Sequence, residues 1–148
     1  RIFDRLGLTL IETNKDGKKS YQTYPERESI EPLTKQEALL ITSQKTTLNP
    51  IEAILIRDVK PGSEYRGSLP AYKVKTDTKD KINVYVGYMT GDISSIRSDS
   101  WRIWDLMWSL HIMDYRERDN INNVLLKLLS ILALITSLSG ITLFFVKK

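Results

Sequence analysis

The chain contains no cysteine and a single histidine, His111, in 148 residues. Disulfides, thiolate metal sites and thiol nucleophiles are therefore excluded. A Ser-His-Asp set is not expected in the polar part of the chain, because the histidine lies beside the apolar C-terminal end. No glycine-rich loop follows an expected strand and opens a helix, which argues against a phosphate-binding loop. The acidic pair Glu26 and Glu28 lies in the polar run PERESIEP, which is typical of a solvated loop. We therefore predict no catalytic residues and no enzyme activity.

The excess of positive over negative charge is also small. The chain has 22 Lys and Arg against 18 Asp and Glu, a net charge of +4. This excess is smaller than the dense basic patch that nucleic-acid binding requires, so we expect no nucleic-acid partner. Asp77, Asp80 and Asp92 do not have the spacing of a calcium loop, and we assign them to turns rather than to a metal site. The first residue is Arg1 rather than methionine, so we expect that an upstream segment is missing.

One long apolar run stands against this polar background. Val124–Val146 contains 23 residues and a single charge, Lys127, near its start. As a helix it would be roughly 34 Å long, which is enough to cross a bilayer. Lys147 and Lys148 close its far end and favour a cytoplasmic C-terminus, whereas Arg116 and Arg118 on the other side argue against that orientation.

Small and hydroxylic residues cluster within this apolar run. Membrane helices use such residues where they approach one another closely, which predicts a membrane-protein partner or a homo-oligomer. The predicted helix-contact residues are Thr136, Ser137, Ser139 and Gly140.

All three tryptophans lie in one run, WRIWDLMWSLHIMDY, just before the apolar segment. The spacings between Trp101, Trp104, Trp108, His111 and Tyr115 are three, four, three and four, which place all five on one stripe of a helix. Tryptophan and tyrosine concentrate at membrane interfaces, so we predict that this stripe faces lipid. Arg102, Asp105 and Ser109 are predicted on another face, with Arg102 and Asp105 turned to water. The polar run from Asp114 to Asn123 is the expected turn into the membrane.

His111 has two interpretations. It is either packed in the membrane interface, or it is an axial haem ligand, because imidazole binds haem iron. A site with two histidine ligands would need a second copy, a missing segment or a partner, since the chain has one histidine.

The pattern of residues before Trp101 predicts a small α+β domain. Thr34 and Glu37 have the spacing of a capping box, with Leu33 and Ala38 at the staple positions. Ala38, Leu40, Ile41 and Leu48 are the expected apolar face of this helix. Strands are predicted at 8–13 and 20–24 around the Asp16-Gly17 turn, and at 51–59, 71–76 and 82–88. A helix packed on one face of a small antiparallel sheet is the expected architecture.

Two runs resemble a known family. The helix start LTKQEALLI, followed by AYKV and VYVGYMTGDI, resembles the PepSY domain, and the continuation around LHIMDYR is similar to PepSY-associated transmembrane proteins of bacteria. The similarity covers roughly residues 30–145. At Gly87-Tyr88 the chain departs from the family, where many PepSY domains carry an aspartate. The resemblance implies a domain outside the cytoplasm, anchored in the bacterial inner membrane.

The resemblance also implies a range of functions. The leading hypothesis is a non-enzymatic accessory or regulatory subunit of an envelope complex, linked to iron uptake. The alternatives are a haem-bearing component of a ferric-siderophore reductase system that uses His111, and a peptidase inhibitor that pairs a strand edge with a protease cleft. The expected organisation is an N-terminal segment at 1–29, a PepSY-like domain at 30–98, an interfacial helix and turn at 99–123, and a transmembrane helix at 124–146.

Overall fold

The computed structural model describes residues 1–15, 17–116, 118 and 120–146. The chain divides into two compact units, Arg1–Arg102 and Ile103–Lys148. The predicted α+β class is confirmed, with two antiparallel sheets where the sequence predicted one. The helices are α1 (Lys35–Lys45), α2 (Asp99–His111) and α3 (Val124–Val146). Helix α2 begins in the first unit and continues into the second.

The first sheet is a three-stranded meander. Its strands, in spatial order, are β1 (Ile2–Arg5), β2 (Leu8–Lys15) and β3 (Lys18–Thr23). Leu6 and Gly7 both have positive φ between β1 and β2, as a two-residue hairpin turn requires. The predicted pairing of β2 with β3 is confirmed, with Thr13 opposite Ser20, whereas β1 was not predicted. Asp16, half of the predicted turn between them, lies outside the described residues.

Helix α1 begins with the predicted capping box. The Thr34 hydroxyl accepts a hydrogen bond from the Glu37 backbone N–H at 3.2 Å, and the Glu37 carboxylate accepts one from the Thr34 N–H at 2.7 Å. The hydrogen bond from the Thr34 backbone is the largest cause that lowers the pKa of Glu37. Leu33 and Ala38, the predicted staple residues, are both buried.

Thr34→Ala is expected to lower the free energy of unfolding by about 1 kcal/mol, because the Glu37 backbone N–H in the first turn of α1 loses the hydroxyl that accepts its hydrogen bond. Urea unfolding of the full chain in mild detergent measures the loss. Thr34→Ser keeps the accepting oxygen and is the control. Equal losses in the two variants would contradict the cap assignment.

The buried face of α1 differs from the predicted one. Ala38, Ile41 and Thr42 are buried, whereas Leu40 is 47 % exposed, so its predicted core position is wrong. Thr42 occupies the core because its hydroxyl donates to the Ala38 carbonyl at 2.9 Å, which removes the cost of burying it. The predicted apolar face placed Leu40 inside because it did not allow for a buried threonine.

The second sheet is a four-stranded meander that carries the main core. Its strands, in spatial order, are β4 (Pro50–Ile56), β5 (Ala71–Thr76), β6 (Asn83–Gly87) and β7 (Ile93–Arg97). Helix α1 covers one face, and the core cluster there comprises Leu33, Ala38, Ile41, Ala53, Tyr72, Val74, Val84 and Val86. Strands β4, β5 and β6 were predicted, and β7 was not.

Long polar side chains join the first sheet to the rest of the first unit. Arg5 of β1 is buried and donates to the Glu31 carbonyl at 2.6 Å. Lys45, at the end of α1, donates to the Asp4 carbonyl at 2.7 Å. The N-terminal meander is therefore part of the same compact unit as the second sheet.

Candidate membrane-facing site

Helix α2 presents its apolar side chains outward and its polar side chains inward. The buried residues of the helix are Asp105 and Ser109, at 2 % and 1 % exposure. The large exposed side chains of the helix are Ile103, Trp104, Leu106, Met107, Trp108 and Leu110. This is the reverse of the pattern of a surface helix in a soluble protein, and an exposed apolar face of this extent marks a surface that contacts a membrane or another protein.

Asp105 is paired rather than hydrated. Its carboxylate accepts a hydrogen bond from Nη1 of Arg118 at 3.0 Å. Ser109 donates to the Leu106 carbonyl, and its own carbonyl accepts from the Asp114 N–H. The prediction that Asp105 faces water is therefore wrong. A buried carboxylate needs a partner of opposite charge, and here the segment after the helix supplies it.

Three of the five predicted interface residues lie together. The rings of Trp104 and Trp108 are stacked at 5.9 Å, and the Trp108 ring lies 5.9 Å from that of His111. Trp101 belongs to the first unit, where the Arg97 guanidinium lies 4.0 Å from its ring centroid. Tyr115 is exposed but follows the end of the helix at His111. Four of the five residues therefore lie on α2 and Tyr115 lies beyond its end, and the contact of these residues with lipid stays a prediction.

His111 is exposed in the last turn of α2. Within the described part of the chain, no group of three or more His, Asp or Glu side chains is arranged to hold a metal ion. Haem ligation by His111 stays a prediction.

A polar turn ties the end of α2 to the start of α3. Asn123 caps α3, since its side-chain oxygen accepts from the Leu126 N–H at 2.8 Å. The amide of the same side chain donates to the Ile112 carbonyl at 2.8 Å. Asp114 accepts from the backbone of Arg116 and Asn120. Glu117 and Asp119 of the predicted turn lie outside the described residues.

Helix α3 has the bounds predicted from the sequence. It is 23 residues long, none of them is buried, and it is long and apolar enough to cross a membrane. The hydroxyls of Thr136 and Ser137 donate to the Ala133 carbonyl, and Ser139 donates to the Ile135 carbonyl. An added Cβ on Gly140 would meet nothing within 4 Å. The predicted helix-contact hydroxyls are therefore already paired, and Lys147 and Lys148 lie outside the described residues.

Sequence reasoning missed a second polar cluster, around Glu64 in the first unit. Its carboxylate accepts from Asn83 and Tyr85 at 2.6 Å each, from Arg102 at 2.7 Å and from Lys73 at 2.9 Å. Burial raises the pKa of Glu64, but these hydrogen bonds outweigh it and hold the pKa at about 2. Burial, with the bond to Glu64, raises the pKa of Tyr85. The cluster fastens the loop after β4 to the second sheet and to the first turn of α2.

The first unit also carries an open groove of about 490 Å³. Aromatic residues Phe3, Tyr21, Tyr65 and Tyr88 line it. Glu12 and Lys19, which form an ion pair at 3.2 Å, contribute charge to its lining. Aromatic side chains are enriched at protein–protein interfaces, whereas Lys and Glu are depleted there.

No protein-family model, no curated protein and no solved structure matches this chain.

Proposed function

We propose that this protein is a membrane-anchored accessory or regulatory subunit of a bacterial envelope complex and has no enzymatic activity of its own. Its first unit lies outside the cytoplasm and contacts other proteins, and α3 anchors it in the inner membrane. The observation that carries the proposal is α3, an apolar helix of 23 residues with none buried. Burial of this much apolar surface is strongly favourable, and a bilayer provides it along the whole helix.

The first unit supports a role in protein contacts. Strands β4 and β7 are the edges of the second sheet. Ile51 and Ile54 on β4 and Ile96 on β7 are exposed. Exposed edges of this kind pair with extended peptides, and the groove offers a second contact surface. The resemblance to PepSY proteins supports the extracytoplasmic location and the link to iron uptake.

The orientation is tested by cysteine labelling, which is clean because the chain has no cysteine of its own. We expect a cysteine at Lys79, an exposed position in the first unit, to react with a membrane-impermeant maleimide in intact cells whose outer permeability barrier has been opened. A cysteine at Lys148 is the matched control and is expected to react only after lysis. The reverse labelling pattern would contradict the orientation, and loss of the chain from the membrane fraction would contradict the anchor.

A further inference from the structure

The outer face of α2 is wide, continuous and apolar. At 3.6 residues per turn, its six large exposed side chains cover an arc of roughly 200°. These side chains are Ile103, Trp104, Leu106, Met107, Trp108 and Leu110, between 38 % and 63 % exposed. Asp105 and Ser109 occupy the remaining arc and are buried. The helix is amphipathic, but its apolar side is the one left uncovered.

The second unit itself ties this face to the membrane helix. Asn123 caps α3 and at the same time bonds the carbonyl of Ile112, the residue after the end of α2. If α3 crosses the bilayer, its first turn lies at the bilayer surface, and the end of α2 lies within hydrogen-bond reach of that turn. The stacked Trp104 and Trp108 are within the last two turns of α2, and tryptophan favours this depth.

We propose that the outer face of α2 lies in the interfacial region of the bilayer and is covered by lipid, an inference that rests on the proposed membrane anchoring. The helix has 13 residues, a length of roughly 20 Å, which is too short to span the hydrocarbon core. A helix with one broad apolar face lies in the plane of the interface. Asp105 lies on the opposite arc and is paired with Arg118, so its carboxylate does not meet the lipid.

The test is quenching of single-tryptophan variants by brominated phospholipids in nanodiscs that hold the full chain. Each variant retains one tryptophan and has phenylalanine at the other two positions. Trp104 and Trp108 are expected to lose more fluorescence with bromines near the headgroup end of the acyl chains than with bromines near the methyl end. Trp101, which packs against Arg97 in the first unit, is the internal control and is expected to lose less.

A charged substitution tests the face itself. Met107→Asp, at the centre of the arc, is expected to reduce lipid quenching of Trp104 and Trp108. Leu40→Asp changes a similarly exposed leucine on α1 and is the matched control, with quenching unchanged. Resistance to alkaline extraction is expected in both variants because α3 is intact.

The other outcomes are distinct. If Trp104 and Trp108 are shielded from both brominated lipid and aqueous acrylamide, a protein covers the face and the proposal is overturned. Accessibility to acrylamide without lipid quenching would place the face in water and would also overturn it. Extraction of the unmodified chain by alkali would refute the anchor, and thus the proposed function, whatever the tryptophans report.

Discussion

Replacing Glu64 with glutamine is expected to lower the free energy of unfolding at pH 7 by about 2–3 kcal/mol, after a discount for partial exposure to water. The carboxylate is the shared acceptor for Lys73 and Arg102; in the variant Lys73 loses this opposite charge, and Arg102 is left with its ion pair to Asp99. The amide group of glutamine also points its own hydrogens at groups that donate to the carboxylate of Glu64, which is unfavourable. Urea unfolding in mild detergent measures the loss. Glu52→Gln is the matched control, because the ion pair of Glu52 with Lys75 is about half exposed and is expected to contribute little.

The same group makes stability depend on pH with a definite sign. The pKa of Glu64 is lowered from 4.5 to about 2 in the folded chain. Its contribution to the free energy of unfolding is therefore fully present above pH 4.5. The contribution is lost as the pH falls through the interval from about 4.5 to 2, where the unfolded chain binds the proton first. The difference in free energy of unfolding between the unmodified chain and Glu64→Gln is therefore expected to decrease as the pH falls through that interval. If the free energies of unfolding of the two chains differed by the same amount at every pH, the assigned pKa would be contradicted.

Ile41→Ala is expected to cost about 2–5 kcal/mol, because it removes a fully buried side chain and leaves a cavity. The backbone lies close on the far side of Ile41, since a Cβ added to Gly91 would approach the Ile41 Cδ1 to 2.8 Å.

Leu40→Ala is the matched control for Ile41→Ala. It changes the neighbouring residue of the same helix, which is about half exposed, and is expected to cost about 1 kcal/mol or less. Thermal unfolding of the two variants side by side makes the comparison. Equal losses, or a larger loss at Leu40, would show that the buried face of α1 is misplaced.

Local signals predicted the elements that depend on neighbouring residues. The capping box of α1 involves positions three apart, and Thr34 and Glu37 form it as predicted. The period-two run at 71–76 became β5 with the predicted bounds. The buried face of α1 did not follow from the apolar pattern, because a threonine that bonds its own helix takes a core position.

The candidate site was predicted only in part, because some of its contacts join residues that are far apart in the sequence. The aromatic spacing predicted helix α2, but the buried side of that helix includes Asp105, whose partner Arg118 lies 13 positions away. Glu64 had no local signal at all, because its partners come from β5, β6 and α2. Strand β7 pairs with β6 across a register shift between Tyr85 and Val86, which an alternation pattern does not reveal.

The internal pairing of the hydroxyls in α3 bears on how this helix behaves in lipid. Ser137 and Ser139 bond carbonyls four positions earlier, and Ser130 does the same. None of these bonds is broken when the helix rotates about its long axis or exchanges one neighbour for another. Shape complementarity around Gly140, rather than polarity, would then govern any association. The bond that ties α3 to the preceding turn lies at its start, where Asn123 accepts from the Leu126 N–H.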